Sequence, residues 1–280
     1  MIQNFLTFDI EEWYNANFKS LDLNQFSNQT SNLESNVDKL IDICNEYDVK
    51  STFFVLGKLA QEKPQIIKKI HDAGHEIACH SFNHKLIYEM TSKEFDEDLK
   101  KASSVLENLI GEKVIGFRAP SWSVNEKILE WFYDVLHDNG FLYSSSVYPA
   151  KTYLYGLPDF PSNVHFPVID GKVKSVLEIP QSLINILGKN VGFSGGFFLR
   201  FFPAWFINKN ISKKNNKGNN VFIYLHPHEV DINIPKVNLS KKEKLIFYWN
   251  IKNTEKKFRK ILEEQKSTII DIKSFVRNFK

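Results

Sequence analysis

Residues 51–80, STFFVLGKLAQEKPQIIKKIHDAGHEIACH, hold a complete strand–helix–strand unit. Ser51 to Leu56 is short, β-branched and aromatic and reads as a strand. Pro64 to Ala73 reads as a short helix closed by Gly74, and His75 to His80 as the next strand. The same alternation continues in both directions. Upstream, Asn4 to Ile10 is an apolar run ending in a carboxylate, as expected of a buried strand that carries a functional group at its tip. A polar segment, Asn24 to Ser35, leads to Val37, Leu40, Ile41 and Cys44 at helical spacing. Downstream, Thr91 and Glu94 form a capping-box pattern ahead of a long amphipathic helix ending near Gly111. Val114 to Arg118 is a strand candidate, and Ser123 with Glu126 repeats the capping pattern before a helix ending at Gly140. Phe141 to Ser145, Ser175 to Pro180 and Val221 to His226 suit strands, Lys241 to Glu264 a helix, and Thr268 to Ile272 a last strand.

Strands alternating with helices imply a parallel sheet, and about seven such repeats point to a closed barrel. The expected fold is therefore α/β, a distorted (β/α) barrel of about seven parallel strands forming a single domain over residues 1–280. Residues 148–220, rich in Pro, Gly and Phe, are expected to supply elaborated loops. In such barrels the reactive groups sit at the carboxyl ends of strands. Asp9, His80, Arg118 and His226 all fall there.

Composition narrows the classes of function. Hydrophobic residues make up 42% of the 280, enough for a sizeable core, and the net charge is only +3 with both signs interspersed. A nucleic-acid binder should show a basic stripe instead. The lysine-rich stretch Lys209 to Lys217 is padded with asparagine and reads as a solvated loop. Cys44 and Cys79 are too few and too far apart for a disulfide framework. Met1 to Thr7 has no basic or apolar leader pattern, and no apolar run approaches a membrane span. The expected location is the cytoplasm, including a peripheral position at the inner membrane face.

His80 and His84 lie four apart, a spacing at which two imidazoles can share a metal ion. The spacing alone arises cheaply: His71 and His75 have it too, around a Gly turn, and read as structural. In Asp9-Ile10-Glu11-Glu12, strand parity sends Asp9 and Glu11 to one side and Glu12 to the other. Together with the histidine pair this makes a two-histidine, one-carboxylate metal site attractive, because such a set leaves positions open for water and substrate. Arg118, before Ala119-Pro120, could hold a catalytic carboxylate ionised. His226, ending a Val-Phe-Ile-Tyr-Leu strand, could protonate a leaving amine.

Taken in order, Phe8-Asp9-Ile10-Glu11-Glu12-Trp13, Ser51-Thr52-Phe53-Phe54-Val55-Leu56-Gly57, Gly74 to His84, Gly116-Phe117-Arg118-Ala119-Pro120-Ser121 and Leu225-His226-Pro227 resemble the polysaccharide deacetylase family, with its chitooligosaccharide-deacetylase homology domain. They resemble in particular its branch associated with exopolysaccharide and lipopolysaccharide biosynthesis. The resemblance runs from about Leu6 to Asp231 and extends to Gly195-Gly196-Phe197 and Leu199-Arg200. It implies Asp9 as general base, Glu11, His80 and His84 as metal ligands, Arg118 as the residue orienting Asp9, and His226 as general acid. Trp13, Pro120, Trp122 and Ser145 would contact substrate, Ser145 through a nearby backbone N–H that stabilises the oxyanion. Tyr14, Phe82, Tyr148 and Phe197 are further candidates for stacking on sugar faces.

The implied activity is a metal-dependent N-deacetylase of an amino sugar, nucleotide- or lipid-linked, in cell-surface glycan synthesis. The ion is expected to be zinc, with Co, Fe, Ni or Mn also suited to the donor set. Two alternatives stand beside it: an amide hydrolase of the same fold acting on a formamido sugar or a cyclic amide, and a non-catalytic carbohydrate binder. The chain departs from the resemblance at two positions. The family's Tyr-Asp-Ser-Ser, whose aspartate supports the acid histidine, is here Tyr143-Ser144-Ser145-Ser146. The tryptophan that commonly follows His-Pro in this branch is His228.

Overall fold

The computed structural model describes residues 2–18, 20–21, 31–152 and 155–279. Of the polar segment expected over Asn24–Ser35, Asn24–Thr30 lie outside the described residues. The strands in chain order are β1 (Asn4–Ile10), β2 (Thr52–Val55), β3 (Glu76–Cys79), β4 (Gly116–Phe117), β5 (Tyr143–Ser144), β6 (Val168–Ile169), β7 (Lys172–Val173), β8 (Leu177–Glu178), β9 (Leu183–Ile186), β10 (Lys189–Gly192), β11 (Phe222–Leu225) and β12 (Ile269–Ile270). Seven of them form one sheet in the order β11-β1-β2-β3-β4-β5-β8, every neighbouring pair parallel. The short β12 adds to the start of β1.

The sheet curls into an incomplete barrel. Between β8 and β11 no ladder forms among the described residues; Gly195 instead makes a single parallel bridge to Tyr224, beside the Ser194 hydroxyl's bond to Phe222 O. Gly195 is required there, because a Cβ would meet the Tyr224 ring at 1.9 Å. β1 and β2 are buried along their whole length, as strands of a parallel sheet covered by helices should be. The helices that cover them include Leu33–Glu46, Pro64–Asp72, Ser92–Ile110, Leu129–Asp138 and Thr254–Gln265. The Thr91–Glu94 capping box forms in both directions, and Gly111 closes that helix at φ 74°. No helix among the described residues is long and apolar enough to cross a membrane.

Local expectations fail at three places, each for a tertiary reason. Ser123 caps no helix: its hydroxyl accepts the Ile87 amide in the core, while Asn125 Oδ1 caps the next turn through Lys127 N. The helix expected over Lys241–Glu264 is two helices, Lys241–Tyr248 and Thr254–Gln265, broken at left-handed Asn250. The Arg200 guanidinium takes the carbonyls of Ile246, Phe247 and Trp249 at that break, so they are not left for an unbroken helix. Most of the lysine-rich stretch Lys209 to Lys217 falls inside a helix, Ala204–Asn215, rather than a loop, and buried Ile207 and Ile211 anchor it. The region 148–220 contains the β6–β7 and β9–β10 hairpins and two helices as well as loops.

Candidate active site

The carboxyl ends of the strands deliver the chemistry. Asp9 and Glu11 come from the end of β1, His80 follows β3, Arg118 follows β4 and His226 follows β11. These groups, His84 apart on its own loop, are fixed by strand pairing, the most rigid support the fold offers. Asp9, Glu11, His80, His84 and His226 line one cavity of about 410 Å³, together with Trp122, Tyr148, Phe197 and Phe247.

Arg118 is completely buried and is satisfied by its neighbours. Its Nη1 donates to Asp9 Oδ1 at 2.6 Å and to Thr7 Oγ1 at 3.0 Å, its Nε to Ser145 O at 3.3 Å and its Nη2 to Ser145 Oγ at 3.1 Å. The Phe54 ring covers the guanidinium at 3.9 Å. A desolvated arginine needs such a set of acceptors, and here it fixes one Asp9 oxygen while leaving Oδ2 to the cavity.

Glu11, His80 and His84 form the one candidate metal cluster found among the described residues, their ligand atoms all within 4.8 Å of one another. Glu11 Oε2 lies 2.6 Å from His84 Nε2 and 3.7 Å from His80 Nε2. That oxygen is buried and meets hydrogen-bond geometry with no group. Two imidazole nitrogens and a carboxylate oxygen converging this closely are the donor set that a shared cation takes. His80 Nδ1 lies 2.8 Å from Arg118 O, a carbonyl that can only accept, so the proton sits on Nδ1 and the Nε2 lone pair faces the cluster. Burial works to raise the Glu11 pKa, but His84, His80 and His226 hold it well below the usual carboxylate range. The residues present therefore fit a divalent ion. Glu12 stays outside: its carboxylate is taken by Lys63 at 2.6 Å and by Ser31.

Strain marks the same place. Ser81, His84, Ser121 and Trp122 have φ of 67°, 59°, 50° and 53°, a region non-glycine residues rarely occupy and one that tends to be retained at functional sites.

His226 Nε2 points at the carboxylates, 3.9 Å from Asp9 Oδ2 and 3.7 Å from Glu11 Oε1. Its Nδ1 lies 3.1 Å from Glu229 Oε2, and Glu229 Oε1 accepts from Arg200 Nε at 2.7 Å. Burial opposes protonation of His226, but the Glu229 hydrogen bond and the Glu11 and Asp9 carboxylates push it up to about 9. His228 stacks between His226 and Phe247, and burial beside cationic His226 pushes it down to about 3. It is thus a neutral ring that packs against the acid candidate.

Of Trp13, Pro120, Trp122 and Ser145, expected to contact substrate, only Trp122 lines the cavity. Trp13 is buried in a satellite cluster with Val237, Leu239 and Phe247, because the chain turns into a short 3-10 helix directly after β1. Pro120 is buried behind Ala119 and Ser121, which do face the cavity. Ser145 lies behind Arg118, and the amides around it are spent: Ser145 N donates to Phe117 O, and Ser146 N and Val147 N to Glu178 Oε1. The oxyanion role expected of an N–H near Ser145 therefore has no free donor. Tyr148 and Phe197 line the cavity, whereas Phe82 packs under Lys101.

Arg200 and Glu229 had no role assigned from sequence. The signal was present: Pro227 and Glu229 stand at the first and third positions after His226, the spacing of a capping box, and Glu229 Oε2 indeed accepts the His226 amide.

Residues 5–137 match the family described as polysaccharide deacetylase, and residues 145–273 match a domain of unknown function, DUF3473. The peptidoglycan deacetylase of Helicobacter pylori is 26% identical over 160 residues, covering 53% of each chain. A peptidoglycan-N-acetylglucosamine deacetylase of Bacillus cereus is 31% identical over 93 residues, 33% of this chain and 34% of that one. The chain thus spans at most about half the length of these curated relatives. Among solved structures, one from Mycobacterium smegmatis assigned to the polysaccharide deacetylases superposes with TM-score 0.63 at 20% identity, covering 98% of this chain and 88% of that one. At that identity the likeness speaks for the fold. The boundary between the two matched regions cuts through the sheet: β1 to β4 lie in the first and β8 and β11 in the second, with β1 paired directly to β11.

Proposed function

We propose, from the match of residues 5–137 to the polysaccharide deacetylase family, that the chain is a metal-dependent N-deacetylase that hydrolyses the acetamido group of an amino sugar. The observation that carries this reading is the convergence of an orphaned Glu11 oxygen and two histidines on one point, flanked by Asp9 Oδ2 and His226 Nε2 in the same cavity.

Glu11, His80 and His84 would hold the ion. A divalent ion bound there would polarise the amide carbonyl and lower the pKa of a water. Asp9, with Oδ1 tied to Arg118, offers Oδ2 to take the proton of the attacking water. His226 carries its Nε2 proton to the departing nitrogen, so that the amine leaves as a neutral group. The two groups stand side by side, one on β1 and the other after its neighbour β11, with His226 Nε2 3.9 Å from Asp9 Oδ2, so both reach one substrate amide. Trp122, Tyr148, Phe197 and Phe247 give the cavity an aromatic wall suited to a sugar face. Zinc is the ion first expected at this donor set, and a nucleotide- or lipid-linked precursor of a surface glycan is the carrier we favour.

Release of acetate from N-acetylated amino sugars, free and nucleotide-linked, tests the reading. Turnover should stop on chelation, return with added metal and be absent in Asp9→Ala. Stoichiometric metal binding with formate but no acetate release would move the assignment to a formamido sugar. Absence of metal binding would end it.

A further inference from the structure

We infer that Glu229, held by Arg200, is the residue that positions His226 for proton transfer, taking the place of a carboxylate on β5. The inference rests on the deacetylase reading for its chemistry but on geometry for its assignment.

Ser144, the position from which support would be expected, faces the wrong way. Successive residues of a strand point to opposite sides, and its neighbour Ser145 bonds Arg118 in the barrel interior. Ser144 Oγ instead donates to Ser146 Oγ, on the side where Glu178 accepts from Tyr133 of the covering helix Leu129–Asp138. A carboxylate at position 144 would meet Glu178, not His226.

Glu229 is arranged as a support for an imidazole. It is 1% exposed and stands on the 3-10 turn that begins at His226 itself. One oxygen, Oε2, accepts from both the His226 amide at 3.0 Å and the ring Nδ1 at 3.1 Å, so ring and backbone are fixed by the same atom. The other oxygen accepts from Arg200 Nε at 2.7 Å. Arg200 is in turn immobilised by the carbonyls of Ile246, Phe247 and Trp249. An ionised carboxylate can only accept, so Nδ1 keeps its proton and the transferable proton is the one on Nε2, which faces Asp9 and Glu11. His228, stacked on the His226 ring, covers one face of it. Arg200, His226 and Glu229 all lie within residues 145–273, which makes that half of the chain part of the active site rather than an appendage.

The test uses the zinc-loaded full chain. In long-range ¹H–¹⁵N NMR of histidine-labelled protein, the His226 signals, assigned by their loss in His226→Gln, should show a protonated Nδ1, and Glu229→Gln should shift them. In kinetics, Glu229→Gln should lower kcat by ~10²-fold or more, with KM and metal stoichiometry little changed. Glu229→Asp should recover part of that loss, and Glu229→Gln/Ser144→Asp none. An unprotonated Nδ1 in the wild type, an undiminished kcat in Glu229→Gln, or rescue by Ser144→Asp would each overturn the assignment. The wild-type spectrum decides the matter even where Glu229→Gln, which leaves Arg200 without its partner, fails to fold. If the wild type releases no acetate, the deacetylase reading fails while the NMR arm still judges the positioning role.

Discussion

Replacing Arg118 by lysine keeps the buried charge but removes most of the donors that make it tolerable. The guanidinium serves four acceptors on three residues: Asp9 Oδ1, Thr7 Oγ1, Ser145 O and Ser145 Oγ. A single ammonium on an unbranched stem can reach Asp9 and Thr7, which are bonded through the same nitrogen, but not the Ser145 atoms at the same time. Ser145 Oγ still donates to Ile179 O, so its cost is small. Ser145 O, inside the barrel, is left without this partner, at about 1–3 kcal/mol for a buried acceptor. With about 1 kcal/mol for the lost bond to Oγ, Arg118→Lys should destabilise the protein by about 2–4 kcal/mol. The functional effect is separate. Asp9 loses the rigidly held Nη1 donor that fixes its Oδ1, and a displacement of about 1 Å in a reacting group can cost roughly 10² in rate. Urea unfolding measures the first quantity, and kcat for acetate release at saturating metal measures the second. A variant that keeps both wild-type stability and wild-type kcat would show that Arg118 neither holds the barrel mouth nor orients Asp9.

Glu11→Gln should abolish stoichiometric zinc binding by calorimetry while the melting curve of the metal-free protein stays cooperative; retained binding would mean the ion sits elsewhere. The two tryptophans beside the motifs should separate: Trp122→Ala raises KM for the sugar, because Trp122 lines the cavity, whereas Trp13→Ala costs about 3–5 kcal/mol of stability as a deleted core ring. A comparable KM effect from both would contradict the placement of Trp13. His75 gives a pH signature remote from catalysis. Burial and then Lys50 push it down to about 4, so the unfolded chain binds a proton below its ordinary value near 6.5 that the folded chain refuses. Stability should therefore be full above that value and fall by up to about 3 kcal/mol as pH drops through 4. His75→Asn, which can still accept the Ser51 amide, should flatten that limb in urea titrations at stepped pH.

Much of the framework was legible because it depends on local pattern. The burial of β1 and β2 follows from the apolar and β-branched stretches Phe5–Phe8 and Thr52–Val55, and the side on which Asp9 and Glu11 project follows from strand parity alone. Glu12 was separated from them by the same parity, and its pairing with Lys63 agrees. What was not legible depends on which groups the chain brings together from afar. Trp13 reads like a rim aromatic from its place after the motif, but the 3-10 turn following β1 rotates it into a cluster with Val237 and Leu239, more than two hundred residues on. The break at Asn250 could not be foreseen from the helical periodicity around it, since its cause is a guanidinium fifty residues earlier that claims the carbonyls there.

Arg200 connects that break to the chemistry. The carbonyls at the end of the helix Lys241–Tyr248 hold the guanidinium, the guanidinium holds Glu229, and Glu229 holds His226. Arg200 and Glu229 at its centre are buried, so either one left without its partner would carry a desolvation cost, and that cost favours the connected state over a partial one. Ser144 has no part in this connection, since it faces Glu178 and not His226; the turn that begins at His226 brings the carboxylate itself. The break in the helix is accordingly not an irregularity at the edge of the fold; it is where His226, the proposed acid, is finally anchored.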